Sequence, residues 1–338
     1  MAIRDENILF FDGACGTNLQ RMEIPPSAWE GRDGCNEFLN LSAPEVIREW
    51  HSSFLSAGAT VLETNTFGAN AIVLAEYGLA DRVAEINRAA VGNAREAIRR
   101  HGGPAYVAGS IGPTTKLPSL GHVAFEPMAA TFKEQARALV EAGADLLIVE
   151  TCQDLLQVKI ALVSCFGVLE AMKRDVPVMV SLTIESTGTM LLGSDIACAL
   201  TALEAIDVVD IIGINCATGP AGMSEHLRHL SQHARMPIVT SLLGLPRASC
   251  DCLLDVNLPC HHRGDERGAA FFEQLDGFAE RGFKLACART FLFDGGDDGF
   301  GDLVLHLEDV DQVAVIALAP DMTAGGDVVE LGGDAQSL

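Results

Sequence analysis

One short apolar run in this chain ends in a cysteine: Asp210-Ile-Ile-Gly-Ile-Asn-Cys-Ala-Thr-Gly-Pro220. Its length and β-branched content predict a buried strand that runs straight into Asn215-Cys216 and a Gly-Pro turn. A thiol at that point faces whatever lies beyond the sheet edge. It can serve as a metal ligand, a nucleophile or a packing residue, and packing is the ordinary fate of a free cysteine. Other apolar runs end in the same manner. Ile8–Phe11 leads into Asp12 and Gly13, Thr60–Leu62 into Glu63-Thr-Asn65, and Ala105–Gly109 into Ser110. Asp145–Val149 leads into Glu150, and Pro177–Leu182 into Thr183. The threonines are simply read as caps of the helices that follow. Asp12, Glu150 and Cys216 read as one site, and Asp12 with Glu150 could act as an acid–base pair.

The stretches between these runs have helical periodicity. Ser42-Ala-Pro-Glu45 carries the capping-box spacing and predicts a helix to about Ser56, stopped by Gly58. Further helices are expected over 69–100, 128–142, 155–173, 194–205 and 224–233, with a seventh strand at Pro237–Leu242. Seven strand–helix alternations imply a parallel sheet. Near eight units the closed α/β barrel, a (β/α)8 TIM-type fold, removes all sheet edges and builds its site from the loops after its strands.

Composition agrees with that class. Hydrophobic residues make up 49% and aromatic residues 6% of the 338 residues, so Ala, Val, Leu and Ile carry the core. A formal net charge of −23 argues against nucleic acid or an anionic membrane as partner. The charged N-terminus and the absence of a long uncharged apolar stretch predict neither a secretory signal nor a membrane span, hence a cytoplasmic protein. Ten cysteines are then free thiols or metal ligands rather than a disulfide framework. Gly109-Ser-Ile-Gly112 lacks the dinucleotide-binding spacing. His226, His229 and His233 read as a solvated helix face, and no histidine stands at a strand end.

Five blocks, in order, resemble the homocysteine S-methyltransferase domain family: Phe11-Asp-Gly-Ala-Cys-Gly-Thr-Asn-Leu-Gln20, Glu63-Thr-Asn-Thr-Phe-Gly-Ala-Asn70, Gly109-Ser-Ile-Gly-Pro-Thr114, Gly143–Thr151 and Gly213–Pro220. The stretch Asn36–Asn70 is most similar to the N-terminal module of cobalamin-dependent methionine synthase. The likeness covers about residues 8–246. It implies methyl transfer to the homocysteine thiol to give methionine. Zn²⁺ would hold the thiolate, and methylcobalamin or a folate-binding module would sit on a partner chain. By position it implies Cys216 as catalytic metal ligand, Glu150 for the substrate ammonium, and Asp12, Gly13, Ser110 and Asn215 in the same pocket.

Past Gly244-Leu-Pro246 the pattern changes. The resemblance implies a Gly-Gly-Cys-Cys block, and the chain has none. Gly282–Thr290 could be an eighth strand with Cys287 as a second ligand, and Cys250, Cys252 and Cys260-His-His262 form another thiol–imidazole cluster. Residues 247–338 hold 18 acidic against 6 basic residues and many glycines. The expected organisation is a barrel over 1–290 and an atypical acidic, Gly-rich segment over 291–338, in which Leu303–Leu318 could form a strand pair or helix. A metal-poor barrel that binds homocysteine without turnover is the alternative reading.

Overall fold

The computed structural model describes residues 8–13, 15–206, 209–216 and 220–241, together with the strand segments 285–292, 301–307 and 314–317. The apolar runs become seven strands: β1 (Ile8–Phe11), β2 (Val61–Glu63), β3 (Tyr106–Ile111), β4 (Leu146–Cys152), β5 (Val178–Leu182), β6 (Ile211–Asn215) and β7 (Ile238–Ser241). Each pairs in parallel with its sequence neighbours. Parallel pairing requires a crossover between consecutive strands, and the intervening helices supply it.

Closure departs from eight parallel strands. The run expected as the eighth forms β8 (Leu285–Leu292), but it pairs antiparallel with β9 (Gly301–Leu307) in a separate two-stranded sheet. The barrel is closed instead by β10 (Ala314–Ala317), antiparallel to both β1 and β7. For β8 and β9 the physical reason is chain length, because the connection over 293–300 allows antiparallel pairing but is shorter than the dozen or more residues a parallel crossover needs. The apolar stretch Leu303–Leu318 thus supplies parts of two strands.

The helices are α1 (Cys15–Leu19), α2 (Leu39–Ser42), α3 (Pro44–Ala57), α4 (Ala71–Leu74), α5 (Val83–His101), α6 (Phe125–Ala142), α7 (Leu155–Met172), α8 (Ile196–Glu204) and α9 (Pro220–His233). Ser42 does not cap α3. It closes α2, its hydroxyl donates to the Phe38 carbonyl, and Ala43 holds the capping position before Pro44. Proline at the first helical position needs no capped N–H there, which makes the serine dispensable. Gly58 ends α3 with φ 101°, a left-handed cap that glycine adopts without strain. The periodicity over 69–100 resolves into α4, capped by Asn70 accepting from the Val73 N–H, and the longer α5.

Among the helices, α7 is apolar on every side and long enough to pass as a membrane span by composition. It carries Lys159 and Glu170, however, and one face (Val158, Ala161, Leu162, Cys165) is buried against its neighbours. The main core fills the layer between helices and sheet. A second cluster, Leu9, Phe11, Val61, Ala108, Leu146, Ile148, Met179, Ile211 and Val239, plugs the barrel interior.

Candidate active site

Side chains alternate across a strand, so residues two apart share a face. The interior plug contains Val61, Ala108, Ile148, Met179 and Ile211. Two residues on, the same inward face holds Glu63, Ser110, Glu150, Ser181 and Gly213. The barrel is therefore apolar below and polar at the carboxyl ends of its strands, where α/β barrels place their sites. Glu63, Glu150 and Cys216 are half-buried there, whereas Asp12 is buried to 2% exposure.

The polar layer is tied together by its own bonds. Asp12 Oδ1 accepts from the Glu63 N–H at 2.8 Å, joining the tops of β1 and β2. The Ser110 hydroxyl donates to Glu150 Oε1 across β3 and β4. Thr64 Oγ1 accepts from the Ser110 N–H at 3.0 Å, and Thr66 Oγ1 donates to the Ser110 carbonyl at 2.7 Å. Asn65 anchors the loop after β2 through the Asn36 carbonyl at 2.7 Å, and its Oδ1 accepts from the Cys15 thiol at 3.2 Å.

Electrostatically the layer is a cluster of like charges. Burial and the neighbouring Glu150 push Asp12 well above the usual carboxylate range, against the opposing Glu63 N–H bond. Burial, then Glu150 and Asp12, do the same to Glu63. Glu150 is raised by burial, while the Ser110 and Thr151 hydroxyls hold it down. Among the described residues no lysine or arginine pairs with any of the three. Three enclosed carboxylates without a counter-cation make a site that favours a positively charged ligand and resists an anion.

The end of β6 is strained. Cys216 has φ 62°, and Thr151, at the end of β4, has φ 59°. These are left-handed backbones on non-glycine residues, which cost energy and collect at functional sites. Asn215 Nδ2 donates to Thr151 Oγ1 at 2.8 Å and so ties the two strand ends together. Burial, Glu150 and Glu63 push the Cys216 thiol up to about 11. Gly213 lets β6 lie tight on β7, since a Cβ there would stand 2.4 Å from the Val239 carbonyl oxygen.

Asp12, Gly13, Ser110, Glu150, Asn215 and Cys216 thus meet at one end of the barrel. Cys287 is on β8, in the separate sheet. Cys250, Cys252, Cys260, His261 and His262 lie outside the described residues. His229 and His233 stack at 4.3 Å on α9, away from the strand ends. Two residues beyond the expected set, Glu63 and His51, stand beside Asp12. Glu63 stood at a strand end like Glu150, so its parity with Val61 was the usable signal. His51, inside the apolar face of α3, left no signal beyond being polar.

Comparison with known proteins agrees with this geometry. A family model described as homocysteine S-methyltransferase matches residues 9–285. Methionine synthases of Mycobacterium tuberculosis (strain ATCC 25618 / H37Rv) and Mycobacterium leprae (strain TN) are each 45% identical, over 248 and 245 residues. These matches cover 72% and 71% of this chain but 21% and 20% of the relatives, so the chain spans about a fifth of their length. The metallated and apo structures of the Escherichia coli homocysteine methyltransferase MmuM are 25% and 26% identical, with TM-scores of 0.57 and 0.53. Each comparison covers 70% of this chain and 83% of the other.

Proposed function

The chain belongs to the homocysteine S-methyltransferase family, and on that premise we propose that its barrel binds homocysteine and presents the thiol for methylation to methionine. The observation that carries this reading is the layer formed by Asp12, Glu63 and Glu150, which lacks a cationic partner among the described residues. The substrate ammonium is the complementary charge. The Ser110 hydroxyl opposes the rise that burial imposes on Glu150 and so favours the form that receives it, Asp12 fixes the Glu63 main chain, and the Gly13 turn and Asn215 border the same pocket.

The donor we infer is methylcobalamin on a partner module, a folate-binding module being the other candidate partner. One observation supports delivery from outside. Phe67, Leu120, Phe125, Leu156, Leu191 and Leu192, all exposed large apolar residues, stand in the loops and first helical turns after β2, β3, β4 and β5, at the barrel mouth.

The resemblance implies three cysteine ligands, and a catalytic zinc site needs three protein donors. Near the pocket the described residues supply the thiols of Cys216 and of Cys15, the latter donating to Asn65, and among them no group of three His, Cys, Asp or Glu could hold a metal. The described donor set does not fit the centre. The consequence is chemical. Burial first, and then the negative neighbours that attract an ammonium, disfavour a thiolate, as the rise of Cys216 to about 11 illustrates, and the substrate thiol enters the same surroundings. Without an added cation, methylation is slow. This favours the second reading, a barrel that binds homocysteine without turnover.

The test is zinc per chain by elemental analysis, with and without homocysteine, alongside methyl transfer from methylcobalamin by the chain and by Cys216→Ala. Near one zinc and turnover lost in Cys216→Ala supports the enzyme. Homocysteine binding without zinc or turnover supports the second reading. Absence of homocysteine binding refutes both, and equal non-zero rates refute the role of Cys216.

A further inference from the structure

We propose that His51 is the positioning residue for Asp12, holding the carboxylate oxygen that the Glu63 main chain leaves free. The inference rests on the homocysteine reading above and assigns a residue on α3, behind the polar layer, to the tuning of that layer.

Asp12 Oδ1 is taken by the Glu63 N–H at 2.8 Å. Asp12 Oδ2 has no hydrogen-bond partner among the described residues and lies 3.8 Å from His51 Nδ1. Both side chains are fully buried, at 0% exposure each. Neither ring nitrogen of His51 has a hydrogen-bond partner among the described residues. The separation is roughly 0.6–1.1 Å beyond hydrogen-bonding range, within reach of a small side-chain rotation. The rest of the inward face of α3 is Ile47, Trp50, Phe54 and Leu55. A leucine at position 51 would pack there without burying two uncompensated nitrogens, a cost a folded chain seldom carries without use. The Trp50 ring lies against the imidazole with centroids 4.4 Å apart, which holds it in place.

Burial pushes His51 down to about 3, so the ring is neutral, and its Nδ1–H tautomer can still donate. When the ammonium of the substrate reaches the acid layer, Asp12 ionises and draws in that N–H. The carboxylate is then held by two donors, one from β2 and one from α3. Four side chains face Asp12: Glu63 from β2, Glu150 from β4, Cys15 from α1 and His51 from α3. Of these His51 is the one able to support the ionised form, because Glu63 and Glu150 are carboxyl groups that oppose a second negative charge and the Cys15 thiol already donates to Asn65 Oδ1. His51 acts through Asp12 and does not touch the substrate.

The experiment is calorimetric titration of the full chain with L-homocysteine between pH 5.5 and 8.5, for wild type, His51→Leu and His51→Asn. We expect His51→Leu to bind about tenfold more weakly, with the acid-side loss of binding moved to higher pH. His51→Asn, whose amide N–H lies near the place of Nδ1, restores most of both. Wild-type affinity and pH profile in His51→Leu, even with a lowered melting temperature, overturns the inference and leaves a packing role. If His51→Leu does not fold, ¹⁵N-histidine NMR of the wild type decides. A His51 Nδ1–H signal that moves when homocysteine is added supports the proposal, and unchanged ring signals overturn it. No homocysteine binding by the wild type refutes the functional reading itself, a result distinct from an unaltered profile in the variant.

Discussion

Gly213→Ala tests whether the tight seam between β6 and β7 holds the site in shape. A Cβ at Gly213 would sit 2.4 Å from the Val239 carbonyl oxygen, 3.0 Å from its Cβ and 3.1 Å from its carbonyl carbon. Comfortable non-bonded contacts are about 3.5 Å, so roughly 1 Å of retreat is required. The obstacle is backbone in a paired strand, with Gly213 opposite Val239, so no side-chain rotation relieves it. Overpacking of this kind costs about 1–3 kcal/mol, offset by about 0.4–1 kcal/mol from the stiffer unfolded chain. The net loss, about 1–2 kcal/mol, corresponds to roughly 2–8 °C in melting temperature for a barrel of this size. Asn215 follows two residues later and donates to Thr151, so homocysteine affinity should fall with stability. Urea unfolding and calorimetric titration read the two effects. Gly109→Ala is the control, because the nearest atoms its Cβ would meet belong to the side chains of Leu139 and Leu147, at 3.0 Å and beyond, and side chains can give. An unfolding midpoint and affinity for Gly213→Ala equal to wild type, or equal losses in both variants, would refute the reasoning.

Three further predictions follow from the site and its supports. Ser110→Ala removes a donor that holds Glu150 down, so Glu150 protonates more readily. Because ammonium binding needs the ionised carboxylate, homocysteine affinity should drop more at pH 6 than at pH 8; a uniform drop across the range would argue that Ser110 only shapes the pocket. In metal-free protein the Cys216 thiol, raised to about 11, should alkylate with iodoacetamide at pH 8 about tenfold or more slowly than free cysteine, as followed by peptide mass spectrometry. A rate matching free cysteine would show that neither burial nor the acid layer raises it. Asp154→Ala removes acceptors for the Leu156 N–H at 2.9 Å and for the Ser119 hydroxyl and N–H at 2.7 and 3.0 Å, and should cost about 2–3 kcal/mol in urea unfolding. A loss under 0.5 kcal/mol would mean the cap and the loop tie contribute little.

Much of this architecture was legible because it depends on short-range pattern. Runs such as Leu146–Val149 are apolar enough to be strands wherever they pair, and the polar residue after each must then stand at the barrel mouth. Which of those residues touch was not legible. The bond between Ser110 and Glu150 depends on the stagger of β3 against β4, Ser110 opposite Ile148, which no local pattern encodes. Ser42 matched a capping box yet lost to Pro44, because capping depends on where the preceding turn ends. The eighth strand was misassigned for a similar reason. Leu285–Leu292 has strand composition, but a nearer partner, Gly301–Leu307, takes it out of the barrel. His51 is the limiting case. Its neighbours on α3 are apolar, and only the opposed Asp12 oxygen gives its polarity a meaning.

The left-handed backbones at Thr151 and Cys216 bear on how this protein would respond to selection in the laboratory. Glycine and asparagine accept such dihedrals readily, while threonine and cysteine do so at a cost of order 1–3 kcal/mol. A library screened only for thermal tolerance should therefore enrich Cys216→Gly and Thr151→Asn, which relax the chain where the strand ends meet. Those same changes delete the thiol at the mouth and the hydroxyl that Asn215 grips. Screens on this barrel need a ligand-binding filter applied together with heat; otherwise the hardiest clones will be the ones that have lost the pocket.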